Sequence, residues 1–226
     1  MPGSQLIRGF TLMELLVTLT ILAFGILGLS GLVTRGQRAA FDAYQRQQAL
    51  ALAADMAERI KSLQSTDPDQ TARNAQIGQT YADGAPVATP LGDGSKWGGV
   101  GGDVTDCGAT SAVCTWQQLV DFDLAVWDGL LAGATKQRTV SGNVERSGSI
   151  LGARGCVEKA SASPLVYRVS VAWQGESPIT PGGSNDPRGL TNCAKGGYKM
   201  PDGSDEATGG DSMRRVVSVD VPVLQP

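Results

Sequence analysis

A chain of 226 residues is long enough for one self-supporting core, or for one domain with an appendage. Its formal net charge is −3 and its pI about 5.0, so a polyanion such as nucleic acid is not an expected partner. Histidine is absent, which excludes Ser-His-Asp and Cys-His catalysis, a histidine general base and any His-containing zinc site.

The apolar residues are concentrated near the N-terminus. Residues 15–34 read LLVTLTILAFGILGLSGLVT, with no charge between Glu14 and Arg35. As a helix this run spans about 30 Å, the thickness of a hydrocarbon core. A cleaved secretory signal would end its apolar region after about 7–15 residues, at a small-residue site. Here the run is longer and passes without proline into a second helical pattern, so a retained helix is expected. The run is preceded by the short leader MPGSQLIRG, whose one charge is Arg8. Then come Gly9-Phe10-Thr11-Leu12-Met13-Glu14. A carboxylate beside the hydrocarbon region is costly unless it finds a partner, so Glu14 needs a reason.

This combination resembles the class III signal sequence of type IV pilins and type II secretion pseudopilins. The resemblance implies that a prepilin peptidase cuts between Gly9 and Phe10 on the cytoplasmic side, and that the new Phe10 amine is N-methylated by the peptidase/methyltransferase. It also implies that Glu14, the fifth residue of the mature chain, pairs with the N-terminal amine of a neighbouring subunit. Two charges that are each costly in an apolar filament core become tolerable as a pair. The further partners implied are other minor pilins, the major pilin, the inner-membrane assembly platform, a tip adhesin, and membrane lipid before assembly. The expected location is the bacterial inner membrane, single-pass with the head in the periplasm, and then the pilus at the cell surface. Arg8 on the near side of the run agrees with a cytoplasmic leader. No catalytic residue, cofactor or metal is implied; the chain reads as a substrate of processing enzymes.

Within the superfamily, FGILGLSGLVTRGQRAAFDAYQRQQALALAADMAERI is most similar to the minor pilins of the type IV pilus modification group. Leu124, Trp127 and YRVSVAWQG at residues 167–175 share that likeness. A type II secretion pseudopilin, built the same way, is the alternative. A single-span anchored binding protein leaves the Gly9-Phe10…Glu14 pattern unexplained. The expected organisation is a leader at 1–9, a transmembrane or filament-core helix at 10–34, the amphipathic half of that helix at 35–64 and an α+β head at 65–226.

Gly25, Gly28 and Gly31 interrupt the apolar half. Small residues let membrane helices approach closely. Each glycine also costs a helix about 1 kcal/mol relative to alanine, which marks this stretch as a candidate for local melting on filament entry. Beyond Arg35, Ala49, Leu52 or Ala53, Met56, Ile60 and Leu63 recur at three- and four-residue spacing, with Asp55, Glu58, Arg59 and Lys61 largely off that stripe. One helix of roughly 80 Å is therefore expected from Phe10 to about Leu63, ended by the turn formers Ser65 to Asp69.

Composition makes residues 66–106 mostly loop, a length that suggests hidden short strands or a binding surface. Thr115 is placed to cap a second helix, whose stripe is Val120, Leu124, Trp127 and Leu131. Period-two alternation marks strands at Leu165 to Trp173 and at Val217 to Val223, with weaker ones at Thr139 to Arg146 and Ile150 to Glu158. One face of this antiparallel sheet would cover the stripe of the long helix, giving a pilin-like α+β fold.

The cysteines are Cys107, Cys114, Cys156 and Cys193. Lacking a C-x-x-C pair and histidine, they do not read as a zinc site. In an oxidising compartment they suggest two disulfides; of three connectivities, Cys107–Cys114 and Cys156–Cys193 is favoured, with free buried thiols the alternative. Acidic clusters fall at Asp67/Asp69, Asp121/Asp123 and Asp202/Asp205/Glu206/Asp211. The last could offer oxygen ligands to calcium but lacks the helix-loop-helix spacing, so a solvated acidic loop is the reading adopted. Residues 178–187 and 196–210 read as mobile surface loops facing partners.

Overall fold

A computed structural model of the chain describes residues 11–96, 104–109, 112–133, 137–140, 143–146, 150–179, 189–200, 202–204 and 211–224. Helix α1 runs unbroken from Leu12 to Ser62. It contributes to both compact units of the chain, Met1–Ala43 and Tyr44–Pro226. After α1 come a 3₁₀ turn at Pro68–Gln70, α2 at Thr71–Gly84 and α3 at Trp116–Leu131. Strands β1 (Gln137–Val140) and β2 (Asn143–Arg146) form an antiparallel hairpin. Strands β3 (Arg154–Ala162), β4 (Leu165–Gln174) and β5 (Arg214–Pro222) form an antiparallel sheet in the order β3-β4-β5. The class is α+β: a long N-terminal apolar helix followed by a small antiparallel sheet, in a pilin-like layout.

In the first unit, every described residue from Thr11 to Phe41 is exposed. In the second, the predicted stripe is buried at Ala49, Ala53, Met56 and Ile60 and partly buried at Leu63; with Ala57, which lay outside the prediction, it joins one core with Ile77 and Tyr81 of α2 and with Val120, Leu124, Trp127 and Leu131 of α3. Tyr167, Val169, Val171 and Trp173 of β4 complete it from the sheet, with Val217 and Val221 of β5. Register pairs Tyr167 with Val221, Val169 with Val219 and Val171 with Val217, so the alternating valines share one face.

Four expectations need correction. Residues 71–84 are helix, not loop: Asn74, Ile77, Gly78 and Tyr81 form a narrow buried stripe at helical spacing, and no proline intervenes. The Thr139 to Arg146 signal is a hairpin, not one strand. The strand expected from Ile150 begins at Arg154, because Gly152 adopts a left-handed backbone (φ 62°) in the turn before it. Finally, β4 is not half-buried towards its end. Ser170 and Ala172 on its second face are also buried, since the segment around Cys193 and Tyr198 folds over them. Part of the expected mobile loop at 196–210 is thus packed structure, while residues 180–188 and 205–210 lie outside the described residues.

The disulfides join Cys107 to Cys114 and Cys156 to Cys193. The second fastens the covering segment to β3. Tyr198 strengthens that cover by donating its hydroxyl to the carbonyls of Gly152 and Ala172, at 2.7 and 3.1 Å.

Candidate functional site

The N-terminal half of α1 is the first candidate. Thr11 precedes the helix and its Oγ1 accepts from the Glu14 amide at 3.3 Å. This satisfies one of the free N–H groups of the first turn. Glu14 sits in that same turn, where the positive end of the helix dipole favours a carboxylate. Among the described residues it has no ion-pair partner. Gly9 and Phe10, the residues of the expected cut, lie outside the described residues.

The following twenty residues hide their polarity. Thr18, Thr20, Ser30 and Thr34 donate their hydroxyls to carbonyls three or four residues back, at 2.8–2.9 Å. No hydroxyl of the apolar run needs water, as an apolar surrounding requires. An 18-residue window reaches a mean hydropathy of 2.3 with none of it buried inside the chain, so this helix is long and apolar enough to cross a membrane. Leu12 and Phe24 are 82% and 74% exposed, which distinguishes the segment from a soluble-core helix. A Cβ built at Gly25, Gly28 or Gly31 would meet nothing within 4 Å, so neither contact nor backbone conformation within the chain demands these glycines.

The head carries its polarity inside. Asp123 of α3 accepts from Arg59 of α1 at 2.7 Å and from the Tyr81 hydroxyl of α2 at 2.6 Å. Arg59 also reaches Asp55 at 2.9 Å. Burial opposes the Arg59 charge, but the two carboxylates outweigh it and hold the guanidinium above its ordinary pKa. Burial, together with the Asp123 charge, pushes the Tyr81 phenol above its usual range. Asp123 thus pins three helices together. The sequence grouped it with Asp121 as an acidic cluster; the helix turns Asp121 to solvent and Asp123 into the core.

Asp128 performs a similar task, receiving backbone N–H groups of Gly92, Gly94 and Lys96 at 2.6, 3.2 and 2.8 Å. Asn74 joins Ser65 to the Leu224 carbonyl, tying the turn after α1 to the end of β5. These carboxylates and amides are structural. Sequence reading took Asp123 only as part of an acidic cluster and passed over Asp128, although each lies three or four residues from a stripe member of α3.

Among the described residues, no group of three or more His, Cys, Asp or Glu side chains is placed to hold a metal. Asp211, one of the acidic tail residues, is engaged by Arg214 and by the Gly196 amide. Asp205 and Glu206 lie outside the described residues.

The prokaryotic N-terminal methylation motif matches residues 6–30. The match covers a short N-terminal stretch and supports a type IV pilin-like protein, of a pilus or a pseudopilus. The motif spans the expected cleavage junction, Glu14 and most of the exposed apolar helix. It implies processing by a prepilin peptidase and handling by pilus-type assembly machinery, and together with the apolar helix it supports membrane anchoring. The proteins of this type are structural subunits. No curated protein and no solved structure matches the chain.

Proposed function

We propose that the chain is a minor pilin of a type IV pilus, similar to the pilus modification protein PilV. It is processed, held in the inner membrane, and then packed into a filament or its tip or priming complex. The observation that carries this reading is the methylation motif running into the uncharged stretch 15–34 of α1, whose apolar side chains are exposed among the described residues. In this reading residues 1–9 are the leader, 10–34 the filament core, 35–64 the amphipathic half of the helix and 65–226 a periplasmic head. Cleavage falls between Gly9 and Phe10, and the Phe10 amine is methylated. Glu14 then docks on the amine of a neighbour, because each charge alone would be stranded in an apolar core. Other minor pilins, the major pilin, the assembly platform and a tip adhesin are the partners. Pilus assembly, twitching motility and adhesion are the processes served.

Peptide mass spectrometry on sheared surface filaments and on membranes tests the proposal. A peptide beginning with methylated Phe10 in the sheared material is expected. The same peptide confined to membranes would favour a pseudopilin. A peptide retaining residues 1–9 in every fraction would overturn the pilin reading. Glu14→Ala should leave cleavage intact and impair docking or methylation; full incorporation of that variant into filaments would remove Glu14 from the mechanism.

A further inference from the structure

The head contains a cavity of about 360 Å³ between the segment after α2, the turn before β3 and the segment beyond Cys193. That volume lies within the range of small-molecule sites. Its walls are held from several directions. The Cys156–Cys193 disulfide and the Tyr198 hydroxyl bonds fix one side. Arg154 Nη1 donates to the carbonyls of Gly92 and Ala153 at 2.7 and 3.0 Å, fixing the other. Ala194, at the rim, has a left-handed backbone (φ 51°), a conformation that a non-glycine residue adopts only when its surroundings enforce it.

The charge of this cavity is one-sided. Arg154 and Lys195 both line it, and no carboxylate does so among the described residues. Among the described residues Arg154 donates through Nη1 alone, and Nε and Nη2 have no acceptor. Lys195 is exposed, and among the described residues it pairs with no carboxylate. Two carboxylates lie nearby without lining the cavity: Asp211 is paired with Arg214, and Asp93, which accepts from the Ser95 amide, partly offsets the Arg154 charge and leaves Lys195 unopposed. Burial raises the Tyr198 phenol; Arg154 and Arg214 act against that rise and Asp211 adds to it. Val87, Pro90 and Ala194 supply an apolar wall beside the two cations.

We infer that this cavity is a binding site for a small organic anion, its carboxylate held between Arg154 and Lys195 and its body against Val87 and Pro90. A planar guanidinium with two unused donors suits a carboxylate's two oxygens. The chemistry is shared by free organic acids and by the acidic sugars of surface polysaccharides. Nothing in this inference depends on filament assembly, so it stands or falls separately from the minor-pilin reading.

The test is isothermal titration of the full chain in neutral detergent, with acetate, D-glucuronate and D-glucose as probes. Saturation-transfer NMR would run in parallel. Glucuronate should bind and glucose should not. Acetate binding as tightly as glucuronate would identify a free-acid site, and weaker acetate binding a sugar-acid site; both support the inference. Lys195→Glu touches no structural contact and should weaken glucuronate about tenfold or more. Arg154→Gln should weaken it further, with circular dichroism checking the fold. No binding of either acid, equal binding of glucose, or undiminished binding to the Lys195→Glu protein would overturn the assignment.

Discussion

Asp123→Asn is the sharpest probe of how the head is held together. The substitution preserves shape and removes one charge. In the native protein the two carboxylate oxygens accept separately, Oδ1 from Arg59 at 2.7 Å and Oδ2 from Tyr81 at 2.6 Å. An amide has one acceptor and one donor group at those positions; with its oxygen kept on Arg59, its N–H can donate to the Tyr81 oxygen, but the Tyr81 hydroxyl proton then loses its acceptor. Arg59 keeps Asp55 at its other edge, which reduces the loss. The Tyr81 ring is fully buried, so its hydroxyl cannot turn to water instead. One charge-assisted bond lost and one buried donor left without an acceptor amount to about 3 kcal/mol. For a unit the size of Tyr44–Pro226, that is a fall in Tm of roughly 6–12 °C. Thermal unfolding of the detergent-solubilised chain, followed by near-ultraviolet circular dichroism, measures it. Tyr81→Phe leaves the buried Asp123 Oδ2 without its donor and should cost about 1.5–3 kcal/mol. A shift below about 2 °C for Asp123→Asn would show that the three-helix link contributes little, and the reasoning would fail.

Other outcomes follow from the same structure. Removing the Cys156–Cys193 bridge, which spans 37 residues, should cost about 4 kcal/mol, against about 2 kcal/mol for the 7-residue Cys107–Cys114 bridge. Denaturant titration of the two double-serine variants tests that order, and equal losses would contradict it. Gly155→Ala puts a Cβ into the Trp127 ring and Leu131, overpacking the β3–α3 contact at a cost of about 1–3 kcal/mol, readable in the same titration. Gly25→Ala, Gly28→Ala and Gly31→Ala combined meet no steric obstacle in the chain and should strengthen the helix by about 3 kcal/mol in total. If local melting accompanies filament entry, incorporation of that triple variant into sheared filaments should drop; normal incorporation would refute the melting step.

The sequence alone determined the elements whose signal is carried by large apolar side chains at regular spacing. Leu15 to Val33 form an uncharged, mostly apolar run, and Ala49, Met56 and Ile60 form a stripe, so α1 was legible over its whole length. Thr115 and the Val120–Leu124–Trp127–Leu131 stripe marked α3, whose capping box uses Thr115 and Gln118. The alternation in β4 and β5 reflects a backbone period that holds whatever the partner strand. Helix α2 escaped because only Ile77 and Tyr81 are large in its buried stripe, and Asn74 and Gly78 complete it. Burial there is decided by the neighbours: Gly78 is small because the Tyr167 ring lies against it, and Asn74 is polar because Ser65 and Leu224 supply its partners. The candidate assembly face was legible for a matching reason, since it lies within one short stretch of chain around Glu14. The head cavity was not. Arg154 and Lys195 are separated by 41 positions, and no local pattern relates them. They meet because β3 carries one, the covering segment carries the other, and the Cys156–Cys193 bond closes the distance. Periodicity is a local property of the chain, while charge balance at a site depends on which distant groups folding brings together.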